Sequence, residues 1–308
     1  MSNNHERIQF PNSVAVLINN LCNLTCNHCS GLFRYDFTGV FDWKTHEEKY
    51  KKWAEIVNFP KLDIFGGEPY LNPDLDAWVM NVRNLWPDSQ MRIFTNGTRL
   101  FSEKDIELTR KFISHGVELR VSCHDQNDWE RTKEAVFKIL GPWKNLKTIE
   151  MDLQPGKEWY CIEFYEDDKL LVVLYRVTEM FPTWATFRDG KIHFIKGGDQ
   201  EESFKKCVWK DESATLQHGL LYKCPPVTNY AEAKYQVMFD EEAAELLEQY
   251  KACSPVKEEV IDFINNIPKS MPQCSLCAYD KQQDTLTLSR KVELNPQLKK
   301  LWRGVGAR

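Results

Sequence analysis

"NLCNLTCNHCSG" (residues 20–31) sets Cys22, Cys26 and Cys29 in the spacing C-x3-C-x2-C. Three thiolates gathered this tightly suit a metal, yet a closed zinc site or a fully ligated iron–sulfur cube takes four ligands. Two readings follow. One is a zinc knuckle completed by His28 or a remote cysteine. The other is a 4Fe–4S cube held at three corners, with one iron open to a small ligand. An open coordination position is what a catalytic site needs and a structural site lacks.

The residues around the loop predict its setting. "VAVLIN" (14–19), an unbroken apolar run leading into the cysteines, reads as a buried strand. A helix is expected over 45–58, with Thr45 and Glu48 in capping-box positions. A strand "LDIF" (62–65) then ends in two glycines. Further on come a helix over 73–86, a strand and turn "MRIFTNG" (91–97), a helix over 103–115, a strand "VELRVS" (117–122), a helix over 128–140 and a strand "KTIEMDL" (147–153). That alternation predicts a parallel sheet with crossover helices. After about residue 156 the rhythm stops. "WYCIEFYEDDKLLVVLYRV" and "DGKIHFIKG" read as antiparallel strands, with turns at 166–168 and 189–190. The polar stretch "KGGDQEESFKK" (196–206) divides the chain.

With 308 residues the chain can bury one large core and a smaller one. A hydrophobic share of 42% with 28% charged residues is that of an ordinary globular protein. The net charge of −5 argues against DNA or an anionic membrane as partner. The N-terminus lacks the apolar core of a signal peptide, and the longest apolar run, "LLVVLY" (170–175), is strand-sized, so no membrane span is expected. A cytoplasmic location is expected. A reducing cytosol disfavours a disulfide framework, so the ten cysteines, clustered toward both ends of the chain, call for metal ligation.

A second motif decides between the readings of the cysteine loop. "DIFGGEPYLNP" (63–73) puts Gly66, Gly67, Glu68 and Pro69 at the end of the next strand. Glycines allow close approach of backbone to a ligand, and a glutamate accepts from an ammonium. Alone, such a stretch is an ordinary strand-to-helix turn. Together the two motifs resemble the radical SAM superfamily, whose hallmark is C-x3-C-x-φ-C after the first strand of a partial barrel, with φ usually aromatic and here His28. A GGE-type motif follows the second strand.

The resemblance implies an α/β fold, a partial (βα)6-type barrel over residues 1–196, with a 4Fe–4S cluster on Cys22, Cys26 and Cys29. S-adenosylmethionine (SAM) would chelate the open iron through its amino and carboxylate groups, with Gly66–Pro69 holding the amino group. The empty corner is then SAM's place. One electron, from a flavodoxin- or ferredoxin-type donor, would cleave SAM to methionine and a 5′-deoxyadenosyl radical that abstracts a substrate hydrogen. The radical chemistry belongs to the cofactors, while the protein orients the substrate.

The later cysteines extend this. Cys207, Gly219 and Cys224 lie in "CVWKDESATLQHGLLYKC", and Cys274 and Cys277 form a C-x2-C pair in "MPQCSLCAYD". On spacing alone they suit a structural zinc ribbon or a four-thiolate iron–sulfur site. The C-x9–15-G-x4-C pattern resembles the SPASM/twitch extension of radical SAM enzymes, and with no cysteine after Cys277 it matches the shorter twitch form. That resemblance implies a small α+β domain over 197–280, with a β-hairpin and helix and a second, auxiliary 4Fe–4S cluster. Full ligation leaves no open iron, which favours electron transfer over substrate binding.

Other residues are weighed singly. "VSCHDQ" ends a strand on the side where barrel enzymes build their sites, so Ser122, Cys123, His124 and Asp125 are candidates to reach SAM or substrate. His124 and Asp125 suit acid–base work, and equally a polar turn capping the next helix. Asn96, in "TNG", is a candidate for the SAM pocket. Cys253 precedes Ser254-Pro255, read as a helix start whose dipole lowers the thiol pKa; it is a candidate hydrogen-atom donor. Cys161 is read as core. Residues 281–308 hold seven Lys/Arg against two acidic residues and read as a basic tail.

The expected activity is that of a radical SAM oxidoreductase acting on a peptide or small molecule, by dehydrogenation or crosslink formation. A peptide would need a separate recognition protein or direct binding, because too few residues precede Val14 for a fused recognition domain. The alternatives are a peptide epimerase using a cysteine donor and a zinc-stabilised binding module.

Overall fold

The computed structural model describes residues 7–26, 29, 31–32, 39–154, 159–177, 185–194, 199–207, 209–210 and 213–277. Strands β1 (Ile8–Gln9) and β2 (Ser13–Leu17) lead into the cysteine loop. Then come α1 (Trp43–Ile56), β3 (Val57–Asn58), β4 (Lys61–Phe65), α2 (Leu75–Leu85), β5 (Gln90–Thr95), α3 (Glu103–Ser114), β6 (Val117–Cys123) and α4 (Trp129–Leu140). A meander follows, made of β7 (Leu146–Gln154), β8 (Trp159–Glu166) and β9 (Lys169–Arg176). The remainder is β10 (Ala185–Arg188), β11 (Lys191–Phe194), α5 (Gln200–Lys205), β12 (Ser213–Gln217), β13 (Leu220–Tyr222), α6 (Pro225–Ala233), β14 (Met238–Phe239), α7 (Glu241–Glu248) and α8 (Lys257–Asn266).

The main sheet has nine strands in the order β13-β12-β2-β4-β5-β6-β9-β8-β7. From β12 through β9 every pairing is parallel, and antiparallel pairs close both ends. The run β2-β4-β5-β6, with its crossover helices, is the α/β rhythm predicted from the sequence. One expectation needs correction: 147–153 read as the next strand of that rhythm, but β7 pairs only with β8 and lies at the sheet edge. The place beside β6 goes to β9, delivered by the β8–β9 hairpin across Asp167 and Asp168, both at positive φ. Strand β12 comes from the segment assigned to the second domain, yet it pairs with β2, so the two segments share one sheet.

Helix α1 starts earlier than expected. Its N-cap is Asp42, whose carboxylate accepts from the Thr45 N–H at 2.8 Å, in place of the Thr45–Glu48 box. Its buried face, Trp43, His46, Tyr50, Trp53 and Ala54, recurs at helical spacing and packs on the sheet. Trp53, Trp78 and Trp86 fill the core, and each buried indole N–H finds a carbonyl: Gly219 O at 2.9 Å, Phe41 O at 2.7 Å and Val57 O at 3.0 Å. A second apolar cluster, with Ile192, Phe194, Val227, Tyr230, Phe239 and Leu247, lies between the small β10-β11-β14 sheet and helices α6 and α7. Among the described residues no helix is long and apolar enough to cross a membrane. The basic tail 281–308 lies outside the described residues.

Candidate functional site

The two sequence motifs are stitched together by backbone hydrogen bonds. Gly67 N–H donates to Asn19 O at 3.2 Å and to Asn19 Oδ1 at 3.1 Å, and Glu68 N–H donates to Leu21 O at 2.7 Å. In return Asn19 Nδ2 donates to Glu68 O at 2.9 Å. A Cβ at Gly66 would fall on the Asn19 side chain, and one at Gly67 would fall on the Leu21 carbonyl and 2.9 Å from Cys22 Cβ. On the side where a Cβ would project, the space these glycines leave is therefore filled by the cysteine loop itself.

Glu68 is fully buried beneath that seam. Its carboxylate accepts from the Thr95 hydroxyl (2.8 Å), the Asn96 N–H (2.7 Å) and the Tyr70 N–H (3.1 Å). Burial outweighs these bonds and lifts the carboxyl to about 7. A cationic ligand nearby would restore the ionised form. The carboxylate also fixes the turn after β5, where Gly97 adopts φ +79°. In that turn Asn96 Nδ2 donates to Asn23 Oδ1 (2.9 Å) and lies 4.0 Å from Cys22 Sγ, while Asn23 Nδ2 donates to Thr98 Oγ1 (2.7 Å). Cys22, Glu68 and Asn96 thus meet at the C-terminal ends of β2, β4 and β5.

Burial pushes the Cys22 thiol well above its ordinary value, and Cys29, Glu68 and Cys26 push it further. Cys26 is buried, Cys22 and Cys29 half-buried, and Cys29 N–H donates to Cys26 O at 3.3 Å. A metal would displace the thiol protons and relieve this cost. His28 lies outside the described residues.

Beside this seam is a cavity of about 180 Å3, lined by Leu24, Asn96, Thr98, Cys123, His124, Asp125 and Thr132 among others. His124 Nδ1 is buried without a partner, and burial pushes the imidazole down to about 4. Cys123 donates to Asp125 O at 3.1 Å, and burial raises its thiol pKa. Asp125 also accepts from the Asn127 N–H at 2.9 Å, capping the short 3-10 turn that precedes α4. Ser122 alternates to the other face of β6 and does not line this cavity.

The four later cysteines also meet. Cys207 follows α5, Cys224 is the N-cap of α6, and Cys274 and Cys277 lie in and just after the 3-10 helix Pro272–Leu276. Cys277 is pushed well up by burial and by Cys224, Cys207 and Cys274; burial lifts Cys224 to about 12. Ser203 hydroxyl donates to Cys277 O at 3.1 Å, holding α5 against this turn. None of the ten cysteines, all of them among the described residues, forms a disulfide. Among the described residues no three His, Cys, Asp or Glu side chains converge as one bare ion would require. A cubane asks for something different, because each thiolate binds its own corner iron and the sulfurs stand apart around it. All-thiolate donor sets of three and four suit that group.

Cys253 departs from its expected setting. The following helix starts at Lys257 with Val256 as N-cap, and Cys253 is bridged to Leu221 through N–H to O bonds of 2.8 and 2.9 Å. No helix dipole lowers its thiol; burial, with Glu259 and Asp262, pushes it up to about 12. Cys161 is core, as expected. Sequence reasoning missed Asn19, Asn23 and Thr98. The asparagines flanking Cys22 were a usable signal, since buried amides must be hydrogen-bonded.

No family model matches the sequence. Among solved structures, BtrN in complex with AdoMet and 2-DOIA aligns at 17% identity over 92% of this chain and 98% of that one, with a TM-score of 0.47. Streptococcus suis SuiB bound to precursor peptide SuiA aligns at 17% identity over 42% and 37%, with a TM-score of 0.28. Among curated proteins, GTP 3′,8-cyclase of Campylobacter curvus is 22% identical over 179 residues, 57% of this chain and 52% of that protein. The Campylobacter jejuni GTP 3′,8-cyclase is 23% identical over 201 residues, 63% and 58%. The chain thus spans little more than half the length of these two relatives. The chain that carries the cysteine triplet after β2, stitched to the Gly-Gly-Glu-Pro turn after β4, is similar over part of its length to these two GTP 3′,8-cyclases.

Proposed function

We propose that the chain is a radical SAM oxidoreductase with two 4Fe–4S clusters, one on Cys22, Cys26 and Cys29 and an auxiliary one on Cys207, Cys224, Cys274 and Cys277. Cys22, Cys26 and Cys29 would hold a cluster with one iron open to SAM, and the bound pair would supply the radical chemistry that removes a hydrogen atom from a peptide or small-molecule substrate. Net oxidation would then take one electron, to the auxiliary cluster, and one proton, to a protein base. The protein residues do the rest. Asn96 and the Gly66–Pro69 turn would hold SAM against the cysteine loop, while Ser122, on the other face of β6, does not border the cavity. His124 and Asp125 face the cavity as the candidate proton acceptors, burial holding His124 neutral at physiological pH and making it a weak base. A reducing cytoplasm, with a flavodoxin- or ferredoxin-type donor, would keep the thiols free for assembly.

One observation carries this reading. Cys22 and Cys29 of the three-cysteine group and Cys224 of the four-cysteine group pack against the same apolar cluster. An open three-thiolate site and a closed four-thiolate site sharing one dry wall suit hydrogen abstraction at the first and electron acceptance at the second. The division into a barrel domain to residue 196 and a twitch-like domain over 197–280 belongs to this proposal.

The test is anaerobic iron and sulfide content. Wild type should hold about eight irons and a Cys22/Cys26/Cys29→Ala variant about four, as two cubanes require. Stoichiometric zinc with little iron would replace the radical mechanism with a binding module. A second reading, the peptide epimerase, draws on Cys123, a protonated thiol at the cavity wall and so in the form that donates a hydrogen atom. In that case Cys123→Ala abolishes inversion while SAM cleavage continues; retained inversion removes the reading for Cys123.

A further inference from the structure

Lys223 immediately precedes Cys224, and its side chain is pinned. The ammonium donates to Asn266 O at 3.1 Å and to Lys269 O, at the carbonyl end of α8, and lies 4.8 Å from the centre of the Phe204 ring. Its own N–H donates to the Tyr250 hydroxyl at 2.9 Å. Elements from α5 to the end of α8 therefore hold one cation in place, and Cys274, Cys224 and Cys207 all lie within its electrostatic reach. The bland account is a cation on a helix C-terminus, where partial negative charge favours it. That account does not explain why this cation is half-buried beside three thiols, where burial lowers its pKa and Cys274, Cys224 and Cys207 work to keep it charged. Burial raises the Cys207 thiol and Lys210 works against it; Lys210 donates to the carbonyl of Lys205 at 2.6 Å, and Glu201 is a carboxylate acting on Cys274.

We propose that Lys223 sets the reduction potential of the cluster on Cys207, Cys224, Cys274 and Cys277, its fixed ammonium favouring the reduced state and making that cluster an electron acceptor. This rests on the auxiliary-cluster reading above. Reduction adds one negative charge to a group already made anionic by four thiolates. A cation held nearby stabilises the more negative form, and partial burial limits screening by salt. Net charge and hydrogen bonding near the sulfurs are among the terms that set such potentials.

The experiment is an EPR-monitored redox titration of the full chain in the Cys22/Cys26/Cys29→Ala background, where only the second cluster can signal. Lys223→Gln keeps an N–H donor for the two carbonyls and removes the charge. Its midpoint should fall by the equivalent of a tenfold or larger shift in the reduction equilibrium, about 60 mV for one electron. Lys223→Arg keeps the charge and should stay within threefold of the parent. Glu201→Gln removes the carboxylate and should move the midpoint the other way. Iron retained with an unmoved midpoint in Lys223→Gln and Glu201→Gln overturns the inference while leaving the cluster. No cluster signal in the parent overturns the auxiliary-cluster reading, and this inference with it.

Discussion

His124 is a buried imidazole with an unpartnered ring nitrogen. An ordinary histidine titrates near 6.5, and burial brings this one to about 4. Above 6.5 it is neutral in both folded and unfolded chains and contributes nothing to pH dependence. Between 6.5 and 4 the unfolded chain takes up a proton that the folded chain refuses, so stability falls as pH falls, by up to about 3 kcal/mol. Below 4 the loss levels off. Glu68 slopes the other way: with its carboxyl lifted to about 7, its contribution is lost as pH rises through that value. Urea unfolding at pH 7 and pH 5 for wild type and His124→Gln separates the two, because only the difference between the curves reports His124. The expected outcome is a smaller acid loss in the variant. Equal losses would mean that the imidazole takes up its proton as freely as in water. "CHD" in the sequence named the right residues, but no periodicity could tell that Nδ1 would be left unpartnered at a cavity wall.

At the scale of elements, the seam between the cysteine loop and the Gly-Gly-Glu-Pro turn is the feature most exposed to a single change. A methyl group at Gly67 would meet the Leu21 carbonyl and Cys22 Cβ, both parts of chain rather than yielding side-chain tips. Gly67→Ala should cost about 1–3 kcal/mol by overpacking and displace Cys22, so that iron at the three-cysteine site falls while the other site stays loaded. Gly190→Ala is the control: it has positive φ but open space around it, so it should lose stability through backbone strain alone and keep all its iron. Thermal unfolding with iron analysis reads both, and full iron retention in Gly67→Ala would count against the seam as the support of the loop. Much of this region was legible beforehand, because buried strands β2, β4, β5 and β6 are apolar runs closed by glycine and asparagine turns. The meander was not, since β7 has the composition of a further parallel strand and only the Asp167–Asp168 reversal sends β9 back beside β6. The half-buried link from His46 Nε2 to His218 Nδ1 (2.9 Å) was equally hidden, its partners lying far apart in sequence on α1 and the β12–β13 turn.

For the whole molecule the question is how the two cysteine groups divide the work. Strand β12 pairs with β2, and the hairpin turn beyond it packs on α1, so the segment that carries Cys224 is anchored to the main sheet beside the strand that leads into the Cys22 loop. That connection fixes the relative positions of the groups through backbone pairing and does not depend on a linker. If the first group starts the reaction and the second removes an electron from the substrate radical, the two activities must separate on mutation. A Cys274→Ala/Cys277→Ala variant should still form 5′-deoxyadenosine from SAM and reductant within a few-fold of wild type, while oxidised product falls by a factor of about 100 or more, a loss of roughly 2.7 kcal/mol or more in apparent barrier. The Cys22/Cys26/Cys29→Ala variant should lose both. Chromatographic quantification of 5′-deoxyadenosine and product from the same anaerobic reaction gives the ratio directly. Equal loss of both in the Cys274/Cys277 variant, with iron at the first site intact, would mean that the second group is needed to begin the chemistry, and its assignment as electron acceptor would have to be given up.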